Sequence, residues 1–307
     1  MKKIYTILIL AFASLSCEKE IELDIRDSEQ NIVVEGYMEN GRNPVVILSR
    51  DASLQETGSF IDIGELYIRN AQITVSDGER SVELVEVKEN DPKVIGNLFQ
   101  LPADFLDLGS QLVDFYYYTT RESDSDFRGE IGKKYTLNID VEGQKVSGNT
   151  VIPSPPLSDS IFYQINDEID TLARVFLRVV DPAGEKNYYR YFTSRNEEPF
   201  YPGTFASVAD DQVVDGTSFN FPLDRAQAKS QPIEDPQTFG FFSRGDSVSV
   251  KFCTLPATHY TFWNTLETNL RNVGNPFGGI TLIESNIEGG NGIWGGQACR
   301  YNTIIIE

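Results

Sequence analysis

Short runs of alternating apolar and polar residues, each stopped by Gly, Pro, Asn or Asp, recur along this chain and argue against a helical bundle. Alternation at a period of two buries one face of a strand and leaves the other in water, whereas a helix needs apolar residues at a period near 3.6. Residues 31–38, 44–49, 71–76, 81–85, 97–101, 135–141 and 145–152 all read as strands. Asp77-Gly78 and Glu142-Gly143 fall between consecutive runs, where a tight hairpin needs residues that tolerate φ > 0. Seven short strands over this length predict an immunoglobulin-like β-sandwich for residues 31–152. The stretch 105–132 breaks the pattern with Phe115-Tyr116-Tyr117-Tyr118 and then Glu122, Asp124 and Asp126, and is expected to be an excursion at one edge.

Pro153, Pro155 and Pro156 follow the last of these strands and end ladder pairing, so a second domain is expected over 153–307. Residues 159–165, 172–180, 188–194 and 247–252 read as further strands, and 197–240 as long loops carrying short strands. Pro256 opens the one persuasive amphipathic helix, 256–273, with Trp263, Leu266, Leu270 and Val273 on its sheet-facing side. Asn275-Pro276 stops it, and a glycine-rich segment leads to a closing strand at 301–306. The fold expected is therefore mainly β: an N-terminal sandwich and a β-rich C-terminal domain with one helix.

The first residues carry a different signal. Lys2 and Lys3, an apolar run over 4–13, and Ser14-Leu15-Ser16 directly before Cys17 have the order of a bacterial lipoprotein signal peptide covering residues 1–16. The apolar run is far shorter than the roughly 20 residues needed to span a bilayer. Cys17 is the residue whose sulfur would carry a diacylglycerol, and its freed amine would take a further chain such as palmitate. Ser14 departs from the Leu or Val usual at that position. Residues 17–30 read as an acidic tether, in which Glu18, Lys19 and Glu20 are the candidate export signal. A net charge of −20, from 26 Lys plus Arg against 46 Asp plus Glu, excludes binding to nucleic acid through a basic patch.

No constellation points to catalysis. The segment 285–296 has the glycines of a close backbone approach but no Lys-Ser/Thr, so it is not a phosphate loop, and no cofactor is expected. Its Trp294 is either a ligand or partner contact on an exposed turn, or a core residue packed against the helix bearing Trp263. Glu122, Asp124, Asp126 and Glu130, and again Asp210, Asp211 and Asp215, are carboxylates that Ca²⁺ would accept, but neither set has EF-hand spacing and solvated loop charge is expected. His259, the sole histidine, is expected to be a partly exposed helix residue, and there is no Gly-x-Ser-x-Gly elbow. No metal site is expected, since Cys-x-x-Cys is missing as well. Cys253 and Cys299 either form a disulfide or are two small buried residues.

Several phrases in order carry a family resemblance: Cys17-Glu18-Lys19-Glu20, Ile32-Val33-Val34-Glu35-Gly36-Tyr37, Asn70-Ala71-Gln72-Ile73-Thr74-Val75-Ser76-Asp77, Gly129-Glu130-Ile131-Gly132, Ile152-Pro153-Ser154-Pro155-Pro156, Asp181-Pro182, Asn187-Tyr188-Tyr189, Asn275-Pro276-Phe277 and Ser285-Asn286-Ile287. The chain resembles the Bacteroidota outer-membrane lipoproteins known as domain of unknown function four-two-four-nine. That family has no assigned reaction, so no site residue is carried over. The charged stretch after Cys17 resembles the tag of surface-exposed Bacteroidota lipoproteins and implies the outer face of the outer membrane, while the family resemblance implies association with a TonB-dependent transporter. A non-enzymatic accessory subunit of such a β-barrel is the expected role, and a free-standing glycan- or peptide-binding module is the alternative.

Overall fold

The computed structural model describes residues 31–50, 67–91, 94, 95, 97, 114–227, 237–272 and 281–307. Cys17, Glu18, Lys19, Glu20, most of the expected strand 97–101 and the helix stop at Asn275-Pro276 lie outside them. The first half forms β1 (Ile32–Glu39), β2 (Val45–Arg50), β3 (Gln72–Ser76), β4 (Ser81–Glu89), β5 (Phe115–Thr120), β6 (Lys134–Val141) and β7 (Gln144–Val151). Alternation explains them directly: in β6, Tyr135, Leu137, Ile139 and Val141 are buried while Lys134, Asn138 and Asp140 face water. The aromatic run expected to be an excursion is strand β5. It pairs with both β2 and β4, and its Phe115 and Tyr117 pack with Ile47 and Ile95 on one face while Tyr118 packs with Val46 and Ile73 on the other, so the run is continuous because both of its faces are covered.

The second half contains β8 (Leu157–Ile165), β9 (Leu172–Val180), β10 (Tyr188–Arg195), β11 (Tyr201–Pro202), β12 (Val208–Asp210), β13 (Ser218–Leu223), β14 (Phe242–Ser243) and β15 (Ser247–Leu255). Helix α1 (Ala257–Asn272), β16 (Ile287–Glu288) and β17 (Asn291–Ile305) complete it. Strands β8, β9, β13 and β14 make a sheet that packs on β10 and β15 through Ala173, Val175, Leu177, Val179, Val248, Val250 and Phe252. Helix α1 packs on the other side of this layer, against β10, β12 and β17. His259, Phe262 and Trp263 are its buried residues, with Leu266 packed beside them, a spacing of i, i+3, i+4 and i+7. The buried stripe thus begins a turn earlier than expected; Leu270 is exposed and Val273 lies outside the described residues.

Strand β17 joins the halves. Residues 291–297 run parallel to β1, and 298–305 run antiparallel to β15. The closing strand is therefore much longer than the expected 301–306 and takes in Gly292, Gly295 and Gly296 of the glycine-rich segment, whose lack of side chains hides the alternation. Ile287, Trp294 and Ala298 enter the same core as Val34, Val46, Ile73, Leu137 and Val146. The expected boundary at 152/153 falls between β7 and β8, but the core of the first sandwich is completed from the far C-terminus.

Cys253 and Cys299 stand opposite each other on β15 and β17 and are joined by a disulfide across 46 residues of sequence. Closing a loop of that length restricts the unfolded chain, and the bond should contribute roughly 2–4 kcal/mol. Chemical denaturation of Cys253→Ala/Cys299→Ala against the oxidised parent measures it, and equal midpoints would exclude the contribution.

Candidate functional site

Where the two sandwiches and α1 meet, strands chosen by alternation turn polar side chains inward. On β15, Val248, Val250 and Phe252 face the second core, so Lys251 faces the opposite way, toward the end of β1. Its Nζ lies 2.5 Å from Glu39 Oε2, with both side chains under a tenth exposed. Gln297 Nε2 donates to the same oxygen at 2.8 Å. Tyr301 Oη donates to Oε1 at 2.6 Å, and Arg42 Nε lies 3.0 Å from Oε1. Burial alone would raise the Glu39 carboxyl, but the charges of Lys251 and Arg42 outweigh it and hold the group below the usual carboxylate range. Burial lowers Lys251, opposed by Glu39. A small, partly open cleft lies here, lined in part by Tyr37, Glu39, Arg42, Lys251 and Gln297.

A second group lies beneath α1. Arg190 on β10 is 1 % exposed. Its guanidinium sits 3.5 Å from the ring centroid of Trp263 and 4.8 Å from that of Phe192. Its Nε donates to Ser207 Oγ at 2.9 Å, and Ser207 in turn donates to Glu267 of α1 from both its hydroxyl and its backbone N–H. Tyr37 donates to Glu35 at 2.5 Å on the β1 side. Burial raises Glu35 and raises Tyr37 further still. Arg190 thus ties β1, β10 and the helix together, its charge shared with Glu35 and Glu267 and its planar faces covered by aromatic rings.

His259 sits between these groups and is fully buried, contrary to the expected partial exposure. The helix stripe that turns it inward lays its ring on Gly295, where an added Cβ would come within 2.5 Å of Cε1. Nδ1 donates to the Gly296 carbonyl at 3.0 Å, which fixes the proton on that nitrogen. Burial lowers its pKa to about 3, so the ring is neutral at ordinary pH. Glu39 thus accepts from Lys251, Gln297, Tyr301 and Arg42, and His259 is a neutral imidazole held by a single hydrogen bond to the backbone.

The other expected site residues fall elsewhere. Trp294 is completely buried, so the exposed contact is excluded. It also packs away from the helix: strand alternation sends Ile293 toward Trp263 and Trp294 into the first core, where its indole N–H donates to the Tyr135 carbonyl at 3.1 Å. Asp124 and Asp126 bind Arg80 at 2.6 and 2.8 Å, and Glu130 lies 3.0 Å from Lys133. Asp211 and Asp215 accept the backbone N–H groups of Asn187 and Gly184, stapling loops. Among the described residues no group of three or more His, Cys, Asp or Glu is arranged to hold a metal, and no helix is long and apolar enough to cross a membrane. Sequence reasoning missed Glu39, Arg190 and Lys251. In the sequence Lys251 follows Ser247 and Ser249 on the polar side of an alternating strand, so no local signal marks it as buried.

Fold and seam together define a mainly β protein of two sandwiches that share one strand and enclose a paired polar network. Residues 18–300 match the family described as Domain of unknown function (DUF4249), and the chain belongs to that family. No curated protein and no solved structure matches it.

Proposed function

We propose that this chain is a lipoprotein anchored through Cys17 in the outer membrane, facing the cell exterior. There it serves as a non-enzymatic accessory subunit of a TonB-dependent transporter or another outer-membrane β-barrel complex. The observation that carries the reading is Cys17, placed directly after the basic and apolar run of residues 1–16 and before Glu18, Lys19 and Glu20. The seam supports it, because pinning the two sandwiches by a shared strand, a disulfide and a buried ion pair suits a rigid part more than a reactive one. From Cys17 to Asn31 the chain reaches at most about 50 Å at ~3.5 Å per residue, so an anchor at Cys17 would hold the fold within that distance of the membrane surface. The glycan- or peptide-binding alternative loses its named contact, since Trp294 is buried.

Pull-down of a tagged protein from detergent, read by mass spectrometry, tests the partner; recovery of no barrel protein above background overturns the accessory role. Cys17→Ala tests the anchor. Without the acyl-acceptor sulfur the protein should move from the detergent-extracted membrane fraction to the soluble periplasm, and retention in the membrane would exclude acylation as the attachment. Replacing Glu18, Lys19 and Glu20 by Ala should leave the protein membrane-bound but shielded from protease added to intact cells.

A further inference from the structure

The glycine-rich end of the chain enters the first sandwich as a parallel strand, paired with β1 although Glu39 and Gln297 are 258 residues apart. Each of its glycines lies where a side chain has no room. A Cβ on Gly292 would stand 1.9 Å from the Val34 carbonyl oxygen, and the residue has φ +112°. A Cβ on Gly296 would stand 2.1 Å from the Val151 oxygen at the end of β7. The partners are pared down as well: Gly36 on β1 and Gly148 on β7 flank Trp294, with hypothetical Cβ atoms 2.8 and 3.0 Å from its side chain. The indole therefore lies between strands β1 and β7 and is tied to β6 through Tyr135. Asn286 fixes the register. Its side-chain amide accepts from Trp294 N at 2.9 Å and donates to Trp294 O at 2.8 Å, as a neighbouring strand would.

Strands β1 to β7 thus enclose a core with a slot that their own residues do not fill. We propose that the groove between β1 and β7 is an acceptor site for a parallel β-strand of pattern Gly-x-Trp-Gly-Gly, that residues 285–298 occupy it as the closing step of folding, and that it accepts the same sequence from a separate peptide. Parallel pairing across so long a loop is entropically the last contact to form, and docking of an added strand supplies main-chain hydrogen bonds plus one anchoring side chain. This inference is independent of the membrane anchor.

The test uses the full chain carrying Gly292→Val. The new side chain blocks pairing with β1, while the Cys253–Cys299 disulfide, downstream of it, keeps the rest of β17 on β15. Hydrogen exchange read by mass spectrometry should become about tenfold or more faster in β1, β6 and β7 and stay within about twofold in β8, β9 and β13. A synthetic peptide of residues 285–298 should restore protection in the variant and leave the parent chain unchanged; the same peptide with Trp294→Ala should not restore it. Trp294→Ala in the full chain is the milder variant and should show the same selective loss. Native exchange in the first sandwich of Gly292→Val would overturn the proposal. So would equal loss in both sandwiches in the two variants, or failure of the peptide to slow exchange.

Discussion

Replacing Glu39 by Leu should destabilise the protein by about 3–5 kcal/mol, the cost of leaving a buried charge unpaired. Lys251 then has no counter-ion at under a tenth exposure, and the donors of Gln297 and Tyr301 lose their acceptor. Lys251→Met should cost less, because Arg42, Gln297 and Tyr301 still satisfy the carboxylate. The double variant should recover much of the loss, and thermal unfolding of the four proteins in a double-mutant cycle measures the coupling. A Glu39→Leu variant that melts with the parent would show that the seam contributes nothing to stability. Because the Glu39 pKa is lowered on folding, this contribution is present above the ordinary carboxylate pKa and is lost as pH falls through the folded value.

The second large effect is a pH dependence centred on His259. Its folded pKa is about 3 against 6.5 for the free side chain, so between those values the unfolded chain binds a proton that the folded chain does not. Stability must therefore rise with pH through this window and be lost on acidification, by about 1.4 kcal/mol per pH unit once below pH 6.5. Arg190 and Lys251 repel the imidazolium, and Tyr37 packs 5.9 Å from the ring centroid. Glu35, raised by burial, acts in the opposite sense, so the comparison has to be made against His259→Gln. From about pH 7.5 to about 4.5 the parent should lose roughly 2.5 kcal/mol more than His259→Gln in urea melts. Parallel pH profiles would exclude the buried neutral ring.

Most of the fold was legible in the sequence because alternation is a local signal. The sequence boundaries of β9 coincide with those observed, and β1, β2, β3, β6 and β7 differ by a residue or so at their ends. The exceptions share a physical cause. Strand β5 and the front of β17 are covered on both faces, one through a run of aromatics and the other through glycines, and neither shows the period of two. The seam was not legible. A buried Lys251 or Arg190 looks like any charged residue until the strand's register places Glu39 or Trp263 against it, and those partners lie far away in sequence. His259 was misjudged for the same reason: what buries it is Gly295, a residue whose contribution is an empty space.

The position of β1 has a mechanical consequence. Tension entering the fold from its N-terminal side acts along the axis of Ile32–Glu39, which lies between β2 and β17 inside the sheet. Pulled lengthwise, a strand held on both sides must shear its cross-strand hydrogen bonds together, whereas a strand peeled from an edge breaks them one at a time. An attachment that tugs at residue 31 thus meets the molecule at a strand paired along both edges, and drag on the second sandwich is passed through β17 to β1.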